Sequence, residues 1–174
     1  MTVLVTGGAG YIGSHMVLNL LDAGEKVVII DNLSTGKEWA IAEDAELVVG
    51  DISDISLVED VIEKYNVNAV IHFAGSIIVP ESVEDPLLYY SNNTAKTRNL
   101  LEAVVNKGVK HFIFSSTAAV YGDVEVERVY ESTPKDPISP YGRSKLMTEW
   151  MLQDTAFAHD FNYVALRYFN VAGA

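Results

Sequence analysis

The sequence predicts an α/β fold, a doubly wound and mostly parallel sheet with helices on both faces. Three observations predict it. Short β-branched runs alternate with helical patterns along the 174 residues, the order of βαβ units. The first run, Thr2-Val3-Leu4-Val5-Thr6, opens into Gly7, Gly10 and Gly13, spaced three apart, and an apolar-periodic helix follows through Ile12, Met16, Val17, Leu20 and Leu21. The second run, Glu25 to Ile30, ends on Asp31, 18 residues beyond Gly13.

That opening is the start of a dinucleotide-binding unit. Gly7 lets the chain turn off the strand. Gly10 removes a side chain where backbone must approach a pyrophosphate, and Gly13 lets the helix pack closely on the sheet. The helix start then offers free N–H groups and a positive dipole end to phosphate. A carboxylate at Asp31 can accept bonds from both hydroxyls of an adenosine ribose and repels a 2′-phosphate, so NAD is favoured over NADP. Leu33, Ser34, Thr35, Gly36 and Lys37 form a polar loop beside the same nucleotide.

The remaining elements follow in order. Glu46 to Gly50 is a third strand. Asp51 after it could bond an adenine amino group or start the next helix, at about Asp54 to Tyr65, where Ser53 or Asp54 would cap. Asn68 to Phe73 is the fourth strand, and small residues at Ala74 and Gly75 leave room for cofactor. His72 within it reads as a structural histidine. Residues 76–87 form a loop with Pro80 and Pro86. A long helix is expected from about Leu87 to Lys107, with Asn92 and Asn93 facing solvent or reaching toward the cofactor. Val109 to Ser115 is the fifth strand, and Ser115, Ser116 and Thr117 emerge at its carboxyl end, where ligands of open α/β sheets bind. Residues 118–139 are expected to be irregular, Pro140 to about His159 helical, and Phe161 to Arg167 a sixth strand.

Composition narrows the function. With 49% hydrophobic and 21% charged residues the chain has the make-up of a soluble globular domain. No apolar run reaches the roughly 20 residues of a membrane span. There is no cysteine, so no disulfide and no thiolate metal site, and no metal is expected; a cytoplasmic location agrees with this. A net charge of −12 argues against nucleic-acid or anionic-membrane partners, which require a basic surface. A phosphate-bearing ligand must then be held by local groups.

The chemistry-bearing residues are Tyr141, Lys145 and Thr117. Tyr141 and Lys145 are four apart on a predicted helix and share one face. A tyrosine acting as a base near neutral pH needs a pKa drop of about 3 units, roughly 4 kcal/mol. An adjacent ammonium supplies part, and a nicotinamide cation more. Thr117 adds a hydroxyl that can hold a substrate oxygen or relay a proton. Tyr-x-x-x-Lys alone is often a surface pair; after a glycine triplet and a ribose acid it reads as a catalytic pair.

These residues stand in longer matching segments: VTGGAGYIGSH at 5–15, DNLSTG at 31–36, GDI at 50–52, HFAG at 72–75, YYSNN at 89–93, FSSTAAVYGD at 114–123, SPYGRSKLMTE at 139–149 and LRYFNVAGA at 166–174. In order and content they resemble the extended short-chain dehydrogenase/reductases, and among them the sugar-nucleotide 4-epimerases. The resemblance implies a Rossmann fold holding NAD. Tyr11 and Ile12 would contact the pyrophosphate. Asp31, Asn32 and the loop through Gly36 would hold adenosine, and Asp51 and Ile52 would flank adenine. Phe73, Ala74 and Gly75 would line the dinucleotide, with Asn92 behind it. Thr117 matches the catalytic Ser/Thr, Tyr141 the base and Lys145 its nicotinamide-ribose partner. Phe169 would lie near the nicotinamide and Asn170 would reach the sugar nucleotide. The implied reaction interconverts UDP-glucose and UDP-galactose. Hydride leaves sugar C4 as Tyr141 takes the 4-hydroxyl proton, the 4-keto sugar rotates, and hydride returns to the other face.

Sugar-nucleotide 4,6-dehydratases need an acid/base pair directly after the catalytic Thr. Ala118 and Ala119 cannot transfer protons, so dehydration is disfavoured. Ile77 stands where many epimerases carry a lysine that helps hold the pyrophosphate. The resemblance also implies a further C-terminal region supplying most of the sugar-nucleotide site, so residues 1–174 are expected to be the NAD-binding part, with weak or no turnover by themselves. It further implies a homodimer through helices matching 87–107 and 141–159, whose apolar faces could instead serve only the sheet. The alternative function is a dinucleotide-binding sensor or scaffold, which would not need Tyr141, Lys145 and Thr117 together.

Overall fold

The computed structural model describes residues 1–124 and 127–171. Six strands form one sheet: β1 (Thr2–Thr6), β2 (Lys26–Asp31), β3 (Glu46–Val49), β4 (Ala69–His72), β5 (His111–Thr117) and β6 (Asn162–Tyr168). Their order is β3-β2-β1-β4-β5-β6, and all five pairings are parallel. The order reverses between β1 and β4. The crevice at the carboxyl ends of those two strands is therefore the place where the topology leaves room for a ligand.

Both sheet faces are covered, so the inner strands are apolar on both sides. On one face Leu4, Val28, Ile30, Val70, Phe112 and Phe114 pack with Val58 and Ile62 of α2 (Ile55–Tyr65) and Leu100 and Val104 of α5 (Lys96–Asn106). On the other, Val3, Val5, Val27, Ile29 and Ile71 pack with Val17, Met16 and Leu20 of α1 (Tyr11–Asp22). The alternation along β1 and β2, odd residues one way and even the other, is the period-2 pleat. Ile52 belongs to the first of these cores and is 6% exposed.

Two stretches differ from the sequence expectation. Residues 76–87 are not merely a loop, because α3 (Val79–Glu84) forms there with Pro80 in its first turn, where a missing N–H costs nothing. The expected continuous helix from Leu87 to Lys107 is three pieces: α4 (Pro86–Tyr89), a π-helical turn over Tyr90–Ala95, and α5. The π turn adds a residue to the helical repeat and rotates Asn93 into the interior, 2% exposed. Between β5 and the last helix, residues 118–121 make a 3-10 turn in the segment expected to be irregular. Asp54, not Ser53, caps α2, accepting from Leu57 N–H at 3.0 Å. The last helix, α6 (Pro140–Ala158), is capped by Ser139, which accepts from Gly142 N–H at 3.1 Å.

Candidate active site

The glycine turn sits at the switch between β1 and β4. Gly7 has φ +72°, and a Cβ there would fall 2.6 Å from the Ala74 amide nitrogen, so the turn lies against the end of β4. A Cβ on Gly13 would fall 2.1 Å from the Gly7 carbonyl oxygen. Gly13 thus permits the helix to begin on the turn itself; its close neighbour is the turn, not the sheet. Gly10 caps α1 with no side-chain bond, and the first intrahelical donor is Ser14 N–H to Gly10 C=O at 2.9 Å. The leading N–H groups of a 12-residue helix point into the crevice without a cap. Tyr11 is 55% exposed beside them, with Ile12 half-buried.

Asp31 ends β2 and is 8% exposed. Its carboxylate accepts from Ala9 N–H at 2.9 Å and Leu33 N–H at 2.8 Å, tying the glycine turn to the 31–36 loop. Leu33 takes φ +57°, and Gly36 is pressed against Ala9 and Asp31. Asn32, Ser34 and Thr35 are exposed around this corner. Asp51 does not cap α2. Its carboxylate accepts from Ser53 N–H at 3.0 Å, Ser53 Oγ at 2.7 Å, Lys96 Nζ at 2.7 Å and Asn32 Nδ2 at 3.2 Å. Burial works to raise its pKa, but these donors, led by Lys96, outweigh it and hold the carboxyl well below the usual range.

The candidate catalytic groups converge at the carboxyl end of β5. Gly142 packs so closely on the turn after Thr117 that a Cβ would meet Ala119 C=O at 2.6 Å, and this brings the start of α6 beside Thr117. Thr117 Oγ accepts from Ala119 N–H at 3.1 Å, which leaves its own proton free to donate. Burial raises the pKa of Tyr141, while the Thr117 hydroxyl works against that rise. One turn on, Lys145 is 3% exposed and donates to Ser115 C=O at 3.0 Å, with its ammonium 4.9 Å from the Phe114 ring centroid. Burial pulls its pKa down to about 8. The ammonium lies next to Gly75, where a Cβ would be 3.6 Å from Nζ. Thus the ends of β4 and β5 and one face of α6 meet, with Phe73, Ala74 and Gly75 along the crevice.

His72 is structural, as its place in a strand indicates. It is 1% exposed and bonded to Thr6 Oγ1 at 2.6 Å and Thr97 Oγ1 at 2.9 Å. Burial, aided by the nearby Lys145 charge, pushes its pKa down to about 3, so the ring is neutral. Asn92 donates to Ser76 Oγ at 3.1 Å. Phe169, 70% exposed, and Asn170 lie past the end of β6.

Asn93, expected to face solvent or reach toward the cofactor, is instead buried: it accepts from Ser76 N–H at 2.8 Å and donates to Ser76 C=O and Ser144 Oγ, both at 3.0 Å, so it ties the end of β4 to α6. Sequence reasoning assigned no role to two further residues here. Tyr89, fully buried, sets its ring edge-on to Tyr141 with centroids 6.3 Å apart, and its hydroxyl donates to Glu81 at 2.6 Å. Glu149 follows Lys145 by one helical turn and is 6% exposed. That i, i+4 spacing was its one visible signal.

A parallel sheet whose order reverses at a glycine turn, with a Tyr-x-x-x-Lys helix beside the reversal, defines an extended short-chain dehydrogenase/reductase. The chain belongs to the NAD dependent epimerase/dehydratase family, whose profile matches residues 3–174. It is 56% identical over 172 residues to the UDP-glucose 4-epimerase of Azospirillum brasilense, covering 99% of this chain and 49% of that protein. It is 48% identical over 174 residues to that of Lacticaseibacillus casei, covering 100% of this chain and 53% of that one. The crystal structure of UDP-glucose 4-epimerase from Brucella ovis in complex with NAD superposes with a TM-score of 0.97 at 48% identity, over 99% of this chain and 53% of that one. The UDP-Glc/GlcNAc 4-epimerase of Campylobacter jejuni superposes at 0.94 with 46% identity, over 99% and 54%. The chain spans about half the length of the curated relatives it matches.

Proposed function

We propose that residues 1–174 are the NAD-binding domain of a UDP-sugar 4-epimerase interconverting UDP-glucose and UDP-galactose. The observation that carries this is the meeting of Tyr141, Lys145 and Thr117 at one strand end beside the glycine crevice, with Ala118 and Ala119 after Thr117. The crevice suits the cofactor, because Gly7 and Gly13 stand where a Cβ would strike backbone and the start of α1 carries no side-chain cap. The N–H groups of α1 would receive the pyrophosphate. Asp31 retains lone pairs for the ribose hydroxyls of adenosine, and its charge opposes a 2′-phosphate. Asn32 to Gly36, Asp51 and Ile52 would enclose the adenosine, Phe73 to Gly75, Asn92 and Ser115 the rest, and Phe169 the nicotinamide. Bound NAD supplies a hydride acceptor and donor.

The proton chemistry belongs to the chain. Tyr141 removes the proton of the sugar 4-hydroxyl, and Thr117 donates to the same oxygen. Burial opposes the phenolate, so Tyr141 becomes a base only with positive charge beside it, from Lys145 and from the oxidised cofactor. Lys145 also donates toward the ribose next to the nicotinamide, and Asn170 toward the sugar nucleotide. Since neither Ala118 nor Ala119 can move a proton, the 4-keto sugar is re-reduced instead of dehydrated. The half-length match to the relatives supports weak sugar-nucleotide capture by these residues alone.

Calorimetric titration with NAD, followed by a UDP-galactose assay, tests the proposal. We expect binding of NAD in preference to NADP, and a low turnover that falls by about 10²–10⁴-fold, on the order of a lost general base, in Tyr141→Phe. Turnover unaffected by Tyr141→Phe would overturn the assignment.

A homodimer in the cytoplasm completes the proposal. Arg143, Met147, Trp150, Asp154 and Phe157 form an exposed stripe on α6, with Trp150 53% and Phe157 94% exposed. Leu87, Ser91, Ala95 and Arg98 are exposed, and Glu102 is half-buried, along the helical segments beside it. Small residues next to large apolar ones suit packing against a second copy. Among the described residues no helix is long and apolar enough to cross a membrane.

A further inference from the structure

Tyr141, Lys145 and Glu149 recur every four residues on the inner face of α6, and each is matched to a different residue of β5. Thr117 faces Tyr141, and Lys145 donates to Ser115 C=O. Ser116 Oγ donates to Glu149 Oε1 at 2.6 Å. Arg167, paired with Ser116 in the sheet register, grips the same carboxylate with two parallel bonds, Nε to Oε1 at 2.9 Å and Nη2 to Oε2 at 2.8 Å. Its third nitrogen donates to Tyr121 OH at 2.7 Å and to Glu131 C=O at 3.1 Å. The carboxylate is 7% exposed and the guanidinium 18%. One ion pair therefore joins α6, β5, β6, the turn after Thr117 and the segment near residue 131.

A fork-to-fork pair of this kind has one geometry. It fixes how far along β5 the helix sits, and with it where Lys145 and Tyr141 fall. We propose that Arg167 and Glu149 are positioning residues for the reaction, holding α6 in the register that aligns Tyr141 with Thr117 and Lys145. This rests on Tyr141 being the base. Neither residue touches the reacting atoms. The groups facing Tyr141 and Lys145 are Thr117 and the Ser115 carbonyl from β5, Tyr89 with its partner Glu81, and neutral His72. Glu149 is faced by Arg167 and Ser116, with Tyr121 beyond Arg167.

The test is the ionisation of Tyr141 in the NAD-loaded chain, which needs no sugar substrate. Phenolate absorbance is followed against pH, and the same curve from Tyr141→Phe in each background is subtracted. The informative variant is Glu149→Met with Arg167→Met. It removes the grip without changing net charge, and replacing a buried pair by apolar residues of similar size commonly preserves the fold. We expect NAD affinity within about twofold of wild type and a Tyr141 midpoint raised by about one pH unit, as Lys145 and Thr117 lose alignment. Arg167→Lys keeps the charge but not the fork, and should raise the midpoint by part of that amount. An unchanged midpoint in either folded variant overturns the proposal. If the wild-type difference curve shows no midpoint below that of an ordinary tyrosine, the assignment of Tyr141 as base fails instead.

Discussion

Replacing Lys145 by Met should make the protein more stable while disabling its chemistry. Lys145 is 3% exposed, and burial pulls its pKa from 10.5 down to about 8. Holding the ammonium charged inside the fold therefore costs about 3 kcal/mol at neutral pH. Met fills a similar volume without that cost but forfeits the hydrogen bond to Ser115 C=O and the contact with the Phe114 ring, together about 1–2 kcal/mol. The net gain is about 1–2 kcal/mol, or about 3–6 °C in Tm for a domain of this size. The gain has a pH signature. Below pH 8 Lys145 is protonated in both folded and unfolded chains, and the full cost is present. Between about 8 and 10.5 the unfolded chain holds more protons, so wild-type stability rises with pH relative to the variant. Above 10.5 the burial cost is gone, and the wild type, whose neutral amine keeps its bond to Ser115 C=O, should be the more stable of the two. Urea unfolding of both proteins without cofactor, at pH 7 and at the highest pH both tolerate, measures this. A Lys145→Met protein less stable than wild type at pH 7, or a gain undiminished at high pH, would refute the reasoning.

Other substitutions separate the parts of the site. Gly13→Ala drives a Cβ to 2.1 Å from a backbone oxygen, so the expected helix-propensity gain of about 1 kcal/mol should be reversed and NAD binding lost, read by calorimetry and by thermal unfolding. Asp31→Ala removes the acceptor for Ala9 and Leu33 N–H groups; NAD affinity should fall at least tenfold, on the order of one lost charge-assisted bond, and the preference for NAD over NADP should disappear. Asn93→Ala leaves Ser76 N–H without its partner and should destabilise the fold by about 2–3 kcal/mol in denaturant titration. Trp150→Glu, on the exposed stripe of α6, should leave the unfolding midpoint of the monomer nearly unchanged but shift sedimentation from dimer to monomer.

Much of this protein was legible because its signals are local. The glycine spacing, the acid ending β2 and the i, i+4 pair on α6 lie within single elements, and period-2 and period-3.6 patterns report which faces are buried. Both alternatives for Asp51 stood open in the sequence, since an acid before a helix suits either capping or a ligand. The structure gives the cap to Asp54 and couples Asp51 to Lys96, 45 residues away.

By itself, then, the sequence determined the sheet and the crevice and singled out the residues proposed to carry the chemistry, because backbone geometry and side-chain periodicity act over a few residues. Tertiary structure alone decided the π turn that carries Asn93 inward to Ser76 and Ser144, 17 and 51 residues away. It also decided the grip of Arg167 on Glu149 and the lowering of the Lys145 pKa. Each depends on partners brought close by packing and on water being excluded around them, and none of the three is written in the spacing of any one segment.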